Sequence, residues 1–171
     1  MKLVKFYPGQ MESCTVKILK KLKTIEIFSD IFIHIGSSYF IAAIFIMGLF
    51  FKNHRGLCVT AILSLGFSFF LNPILKNIWQ LPLKFSAHTY AFPSGHSHAI
   101  AAFFSVLFFG VSRNYKIGIG VILICYAWAI NRHGYHEWFE IIGGQYFGIV
   151  QGLIFYLSYK AIQKYLPYKN I

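Results

Sequence analysis

Pro93-Ser94-Gly95-His96 stands between two long apolar segments, and Arg132, His136 and Glu140 follow at the far end of a third. Phosphate-ester chemistry needs a cationic cradle, backbone N–H donors, one histidine to attack phosphorus and another to protonate the leaving oxygen. These residues supply each part. Gly95 lets the backbone approach a bound oxyanion closely. If a helix begins here, its first N–H groups are unpaired and its dipole favours an anion. Ser94 can cap that helix and donate to a phosphate oxygen. His96 is placed to donate a proton. Arg132 offers a planar fork suited to phosphate. Glu140 follows His136 by four residues, which on a helix puts both on one face. The carboxylate then holds the imidazole tautomer and stabilises its charged form. Lys76, at the outer end of an apolar run, is a further phosphate ligand. A plainer reading makes these groups a helix cap, a headgroup anchor and charged side chains snorkelling to headgroups. Two such clusters, each at the end of an apolar run, favour the chemical reading. A metal site built from His96, His98, His133, His136 and Glu137 is a weaker alternative, because the Arg132 cation stands beside it.

The elements that must position these groups are membrane helices. The 171 residues are 57% hydrophobic and only 12% charged, against about 25% charged in soluble domains. That deficit points to lipid as solvent. The net charge of +11 would suggest nucleic acid in a soluble protein. Here the basic residues cluster between apolar runs, as cytoplasmic loops and headgroup contacts do, so no nucleic-acid partner is expected. Five spans are predicted: about 31–51, 56–75, 97–111, 117–130 and 141–162, each measured against the roughly 20 residues a span needs. Residues 11–29 read as a basic amphipathic helix in the headgroup plane or packed on the bundle. The expected class is all-α: one membrane domain over 1–171, its motif-bearing core at 76–144. Cys58 and Cys125 lie in apolar runs and are expected to be buried thiols. No continuous apolar stretch opens the chain, so no cleavable signal peptide is expected.

Loop charge sets the expected orientation. Lys52 and Arg55, Arg113 and Lys116, and Lys160, Lys164 and Lys169 all fall on one side of a five-span bundle. The motif loops then face outward and the C-terminus inward. The basic N-terminal segment runs against this rule, since it falls outside.

The motif order resembles the type 2 phosphatidic acid phosphatase superfamily, whose pattern is K-x6-R-P, then P-S-G-H, then S-R-x5-H-x3-D. The resemblance covers about Lys76 to Gly144, and Pro93 to His96 match fully. It implies a helical membrane bundle and a bacterial inner-membrane lipid phosphatase that needs no metal or cofactor. It makes His136 the nucleophile, His96 the general acid and Glu140 the residue orienting His136. Lys76, Ser94, Gly95 and Arg132 would bind phosphate. The chain departs from the pattern at four places. Leu83 stands where arginine is expected, with Lys84 next to it as a substitute charge. Asn131 replaces serine. Only His133, Gly134 and Tyr135 separate Arg132 from His136. Glu140 replaces aspartate. Two functions follow: a phosphatase of lipid phosphates or pyrophosphates, or a catalytically impaired relative serving a membrane assembly. Protein partners, the lipid and the choice between hydrolysis and transfer stay open at this level. Lys84 is kept among the substrate-binding candidates; His88, His98 and His133 read as polar loop or bundle residues.

Overall fold

The structure, a computed structural model, is described for residues 54–83, 86–134 and 136–165. The expected N-terminal amphipathic segment, the first expected span and Lys84 lie outside the described residues. Four helices make up the described bundle: α1 (Arg55–Trp79), α2 (Gly95–Gly110), α3 (Arg113–Arg132) and α4 (Trp138–Tyr165). The expected all-α class holds. Helices occupy the four expected spans that fall within the described residues, with α1 running on to Trp79 and α4 beginning at Trp138. Between α1 and α2 a small antiparallel hairpin pairs β1 (Pro82–Leu83) with β2 (Ser86–Tyr90). The all-α expectation does not include this hairpin, because the alternation there is too short to signal a strand.

Helices α1 and α4 are each long and apolar enough to cross a membrane, whereas α2 is apolar but has 16 residues. Large apolar side chains face outward along the two long helices, among them Phe69, Phe70 and Ile78 of α1 and Ile142, Ile154 and Leu157 of α4. An outer face of this kind suits lipid rather than water as the surrounding solvent. Cys125 is exposed on α3 and Cys58 is half-buried, which corrects the expectation of two buried thiols. An apolar run in lipid can turn a cysteine outward at no cost.

Short α2 is the centre of the bundle. Nearly all of its residues from Ser97 to Leu107 are buried. It packs most extensively on α4 and next on α1. Gly144, Gly148 and Gly152, spaced by four, form the α4 face of that contact. A Cβ on Gly144 would stand 2.5 Å from the Ser94 carbonyl oxygen, and one on Gly148 would strike the His98 carbonyl. A Cβ on Gly152 would lie 2.6 Å from the Ser105 Cβ. Backbone-to-backbone approach at small residues is how helices associate where no hydrophobic drive exists between them.

A buried polar network fixes the register of three helices. His98 Nε2 is 2.9 Å from Gln151 Oε1, and the Gln151 amide donates to the Ser64 carbonyl and, at 3.3 Å, to the Ser64 hydroxyl. Ser64 Oγ donates in turn to the Ala102 carbonyl at 3.2 Å. His98 is thus a bundle residue, bonded to α4 inside the core.

Candidate active site

The second motif sits at the N-terminus of α2. Ser94 is fully buried and caps the helix: its Oγ accepts from the Ser97 N–H at 3.5 Å, and its carbonyl accepts from the His98 N–H at 3.0 Å. Acting as an acceptor there leaves the hydroxyl hydrogen free to donate elsewhere. The N–H groups of Gly95 and His96 belong to the first turn, which has no intrahelical acceptors for them. His96 itself is exposed.

The third motif arrives from α3 and α4. Helix α3 ends at Arg132, and Gly134, at φ +72°, turns the chain. A left-handed residue is what lets so short a connection reverse direction, which accounts for a glycine inside the shortened motif. Asn131 Nδ2 donates to the His136 carbonyl at 3.3 Å. The residue standing for the expected serine therefore ties the end of α3 to the His136 backbone.

His136 and Glu140 do meet, with Nδ1 2.7 Å from Oε2. The route differs from the expected shared helical face. Helix α4 starts only at Trp138, so His136 lies ahead of it. Glu140 sits in the first turn and reaches back: its Oε2 also accepts from the Glu137 N–H at 3.1 Å. This is half of a capping box, with a carboxylate satisfying an N–H at the helix start. One carboxylate thereby starts α4 and holds the imidazole.

The two motifs are joined directly. The Ser94 N–H donates to the Glu140 carbonyl at 3.0 Å, and the bare Gly144 leaves room for that approach. Lys76, in the last turn of α1, feels the Glu140 carboxylate. His96 feels the charges of His136 and Lys76. Partial desolvation of the ring, followed by repulsion from His136 and Lys76 when these are protonated, pushes the His96 pKa below its ordinary value. Lys76, Ser94, Gly95, His96, His136 and Glu140 are therefore gathered at one end of the bundle. Arg132 ends α3 with its side chain exposed, and no described contact carries it to Ser94 or His96. Lys84 lies outside the described residues.

The arrangement suits phosphoryl chemistry. The Nδ1 of His136 faces a carboxylate, so the proton resides on that nitrogen and the Nε2 lone pair is free. A cation, a serine hydroxyl and helix-start N–H groups stand nearby. Among the described residues no group of three His, Cys, Asp or Glu side chains is placed to hold a metal ion. His98, one member of the alternative metal set, is bonded to Gln151 in the core instead.

Two asparagines of the region carry no charge by which the sequence would mark them. In the sequence Asn131 is a departure from the pattern. Asn72 lies one turn before Lys76, and its amide nitrogen would be 2.7 Å from a Cβ placed on Gly95. The four-residue spacing to Lys76 was the available signal.

No family model matches this sequence, and no curated protein matches it at a significant level. Solved structures do share its fold. Aquifex aeolicus LpxE has a TM-score of 0.65 and 20% identity, over 77% of this chain and 85% of its own. The first transmembrane PAP2 type phosphatidylglycerolphosphate phosphatase from Bacillus subtilis has a TM-score of 0.61 and 20% identity, over 85% of this chain and 80% of its own. At that identity the likeness speaks for the fold, and the fold is the one implied by the resemblance to the type 2 phosphatidic acid phosphatase superfamily.

Proposed function

We propose that this chain is an integral-membrane phosphatase that hydrolyses a lipid phosphate or pyrophosphate through a phosphohistidine on His136. The observation that carries this reading is the 2.7 Å contact between His136 Nδ1 and Glu140 Oε2, in a cluster that also holds His96, Lys76 and the helix start at Ser94 and Gly95. Held this way, Nε2 attacks phosphorus. The bond from phosphorus to the leaving oxygen breaks, and protonated His96 gives its proton to that oxygen. Water then attacks the phosphohistidine and yields its proton to His96, which restores the starting state and frees inorganic phosphate. Lys76, the Ser94 hydroxyl, the Gly95 amide and Arg132 bind the phosphoryl oxygens, and Lys84 supplies the charge that Leu83 does not. Likeness to a PAP2 type phosphatidylglycerolphosphate phosphatase supports a lipid phosphate as substrate. We place the protein in a bacterial inner membrane with the site facing outward.

The test is phosphate release by purified protein from undecaprenyl pyrophosphate, phosphatidylglycerophosphate, phosphatidate and lipid A phosphates. His136→Ala should lose turnover by orders of magnitude while keeping its helical content. Wild-type turnover in that variant would remove His136 from its role. Absence of turnover in the wild-type protein on every lipid would refute the enzyme itself and favour the catalytically impaired relative.

A further inference from the structure

Asn72 occupies a position that an apolar residue would fill at lower cost. It lies in α1, a helix long and apolar enough to cross a membrane, and its Oδ1 is buried with no hydrogen-bond partner. A buried amide oxygen left unmet is destabilising, while an apolar residue of similar shape carries no such penalty. Its place is informative. The carboxamide presses against the start of α2: a Cβ on Gly95 would lie 2.7 Å from Asn72 Nδ2 and 3.5 Å from Cγ. Gly95 is the residue whose bare backbone admits an oxyanion, and Lys76 follows Asn72 by one helical turn on the same face of α1. The amide thus lies against the head of α2, one turn along α1 from Lys76.

We propose that Asn72 is a phosphate-binding residue of this site, its Nδ2 donating to the phosphoryl oxygen held at the Gly95 amide. This rests on the phosphatase reading and deepens it. A site that lacks the motif arginine at Leu83 gains a neutral donor from α1. A neutral donor adds hydrogen bonding without drawing a further cation toward His96. It also gives Gly95 a second reason to be glycine, since any Cβ would displace the Asn72 amide.

Vanadate, a phosphoryl mimic, tests the assignment by its binding to purified protein in detergent. Asn72→Leu should bind vanadate about ten- to a hundredfold more weakly, the usual effect of removing one hydrogen bond to a charged group. Asn72→Asp keeps the shape but carries a negative charge toward the anion, so it should bind more weakly still. Both should retain wild-type helical content. The isosteric Asn72→Asp carries the test alone if Asn72→Leu fails to fold. Vanadate affinity at the wild-type level in Asn72→Asp would overturn the proposal. If wild-type protein binds no vanadate, the phosphatase reading falls and this assignment falls with it. If wild-type binds and both variants bind equally well, only the role of Asn72 is refuted.

Discussion

At the scale of single residues, desolvation and then nearby charge set the protonation of His96. Desolvation, then repulsion from His136 and Lys76 when these are protonated, holds it below the ordinary histidine value of about 6.5. The sign is clear: the free protein loses the His96 proton as pH rises through a value lower than usual. A bound phosphoryl group brings the opposite charge and restores the proton, so the acid is loaded when substrate arrives. Ring resonances of His96 followed by NMR in micelles should titrate below about 6.5 without ligand. Vanadate should move the midpoint up, and so should Lys76→Met in the free protein. A midpoint at the ordinary value that ignores vanadate would place His96 outside the site. Much of this cluster was legible beforehand. Pro93 to His96, His136 and Glu140 each pair a chemical group with the end of an apolar run. Asn72 was not legible in the same way, because an asparagine in an apolar helix carries no charge and its meaning depends on which glycine it faces. Arg132 matches the pattern and ends α3 exposed, as His96 is at the start of α2.

At the scale of elements, the contact between α2 and α4 decides whether the two motifs meet. The Ser94 N–H bonds the Glu140 carbonyl only because Gly144 lets the chains approach. Gly144→Ala places a Cβ 2.5 Å from a backbone oxygen and 3.0 Å from the Ser97 Cβ. Neither can yield as the tip of a flexible side chain would, so α2 must move. Overpacking of this kind costs roughly 1–3 kcal/mol. Gly144→Ala should therefore lower the unfolding midpoint in detergent and also reduce turnover, since Ser94 shifts with α2. Gly66→Ala is the control: nothing lies within 4 Å of a Cβ there, and alanine is the better helix former. Equal effects from the two substitutions would show that close packing at Gly144 is not needed. The glycine repeat was present in the sequence at four-residue spacing, a recognised mark of helix association in membranes. The extent of α2 was harder to see. Its first residues belong to the phosphate motif, so a hydropathy pattern starts the span at Ser97 whereas the helix starts at Gly95.

At the scale of the whole molecule, the bundle separates chemistry from anchoring charge. Helices alternate in direction: Gly56 at the start of α1 packs against Tyr159 near the end of α4, and Gly110 at the end of α2 packs against Leu57. One end therefore holds Arg55, Arg113, Lys116, Lys160 and Lys164, and Lys116 lies over the Phe108 ring at 5.4 Å. The opposite end holds Lys76, Ser94, His96, His136 and Glu140. The first group is the basic cluster expected on the cytoplasmic face of a membrane protein. The second contains the cations proposed to serve the phosphate site, so they do not count as topological signals in the same way. The hairpin of β1 and β2 belongs to the motif end, between α1 and α2, and its residue Ser86 reports which side that end faces. Ser86→Cys, in a background lacking Cys14, Cys58 and Cys125, should react in intact cells with a membrane-impermeant thiol reagent. Lys164→Cys, at the far end of α4, should react only once the membrane is opened. The reverse pattern would turn the molecule over and place the phosphate site inside. Labelling of both positions in intact cells would mean that the basic end does not mark the cytoplasmic face. In either case the site geometry would stand unchanged, because the contacts among α1, α2 and α4 that assemble it do not depend on which side of the membrane they face.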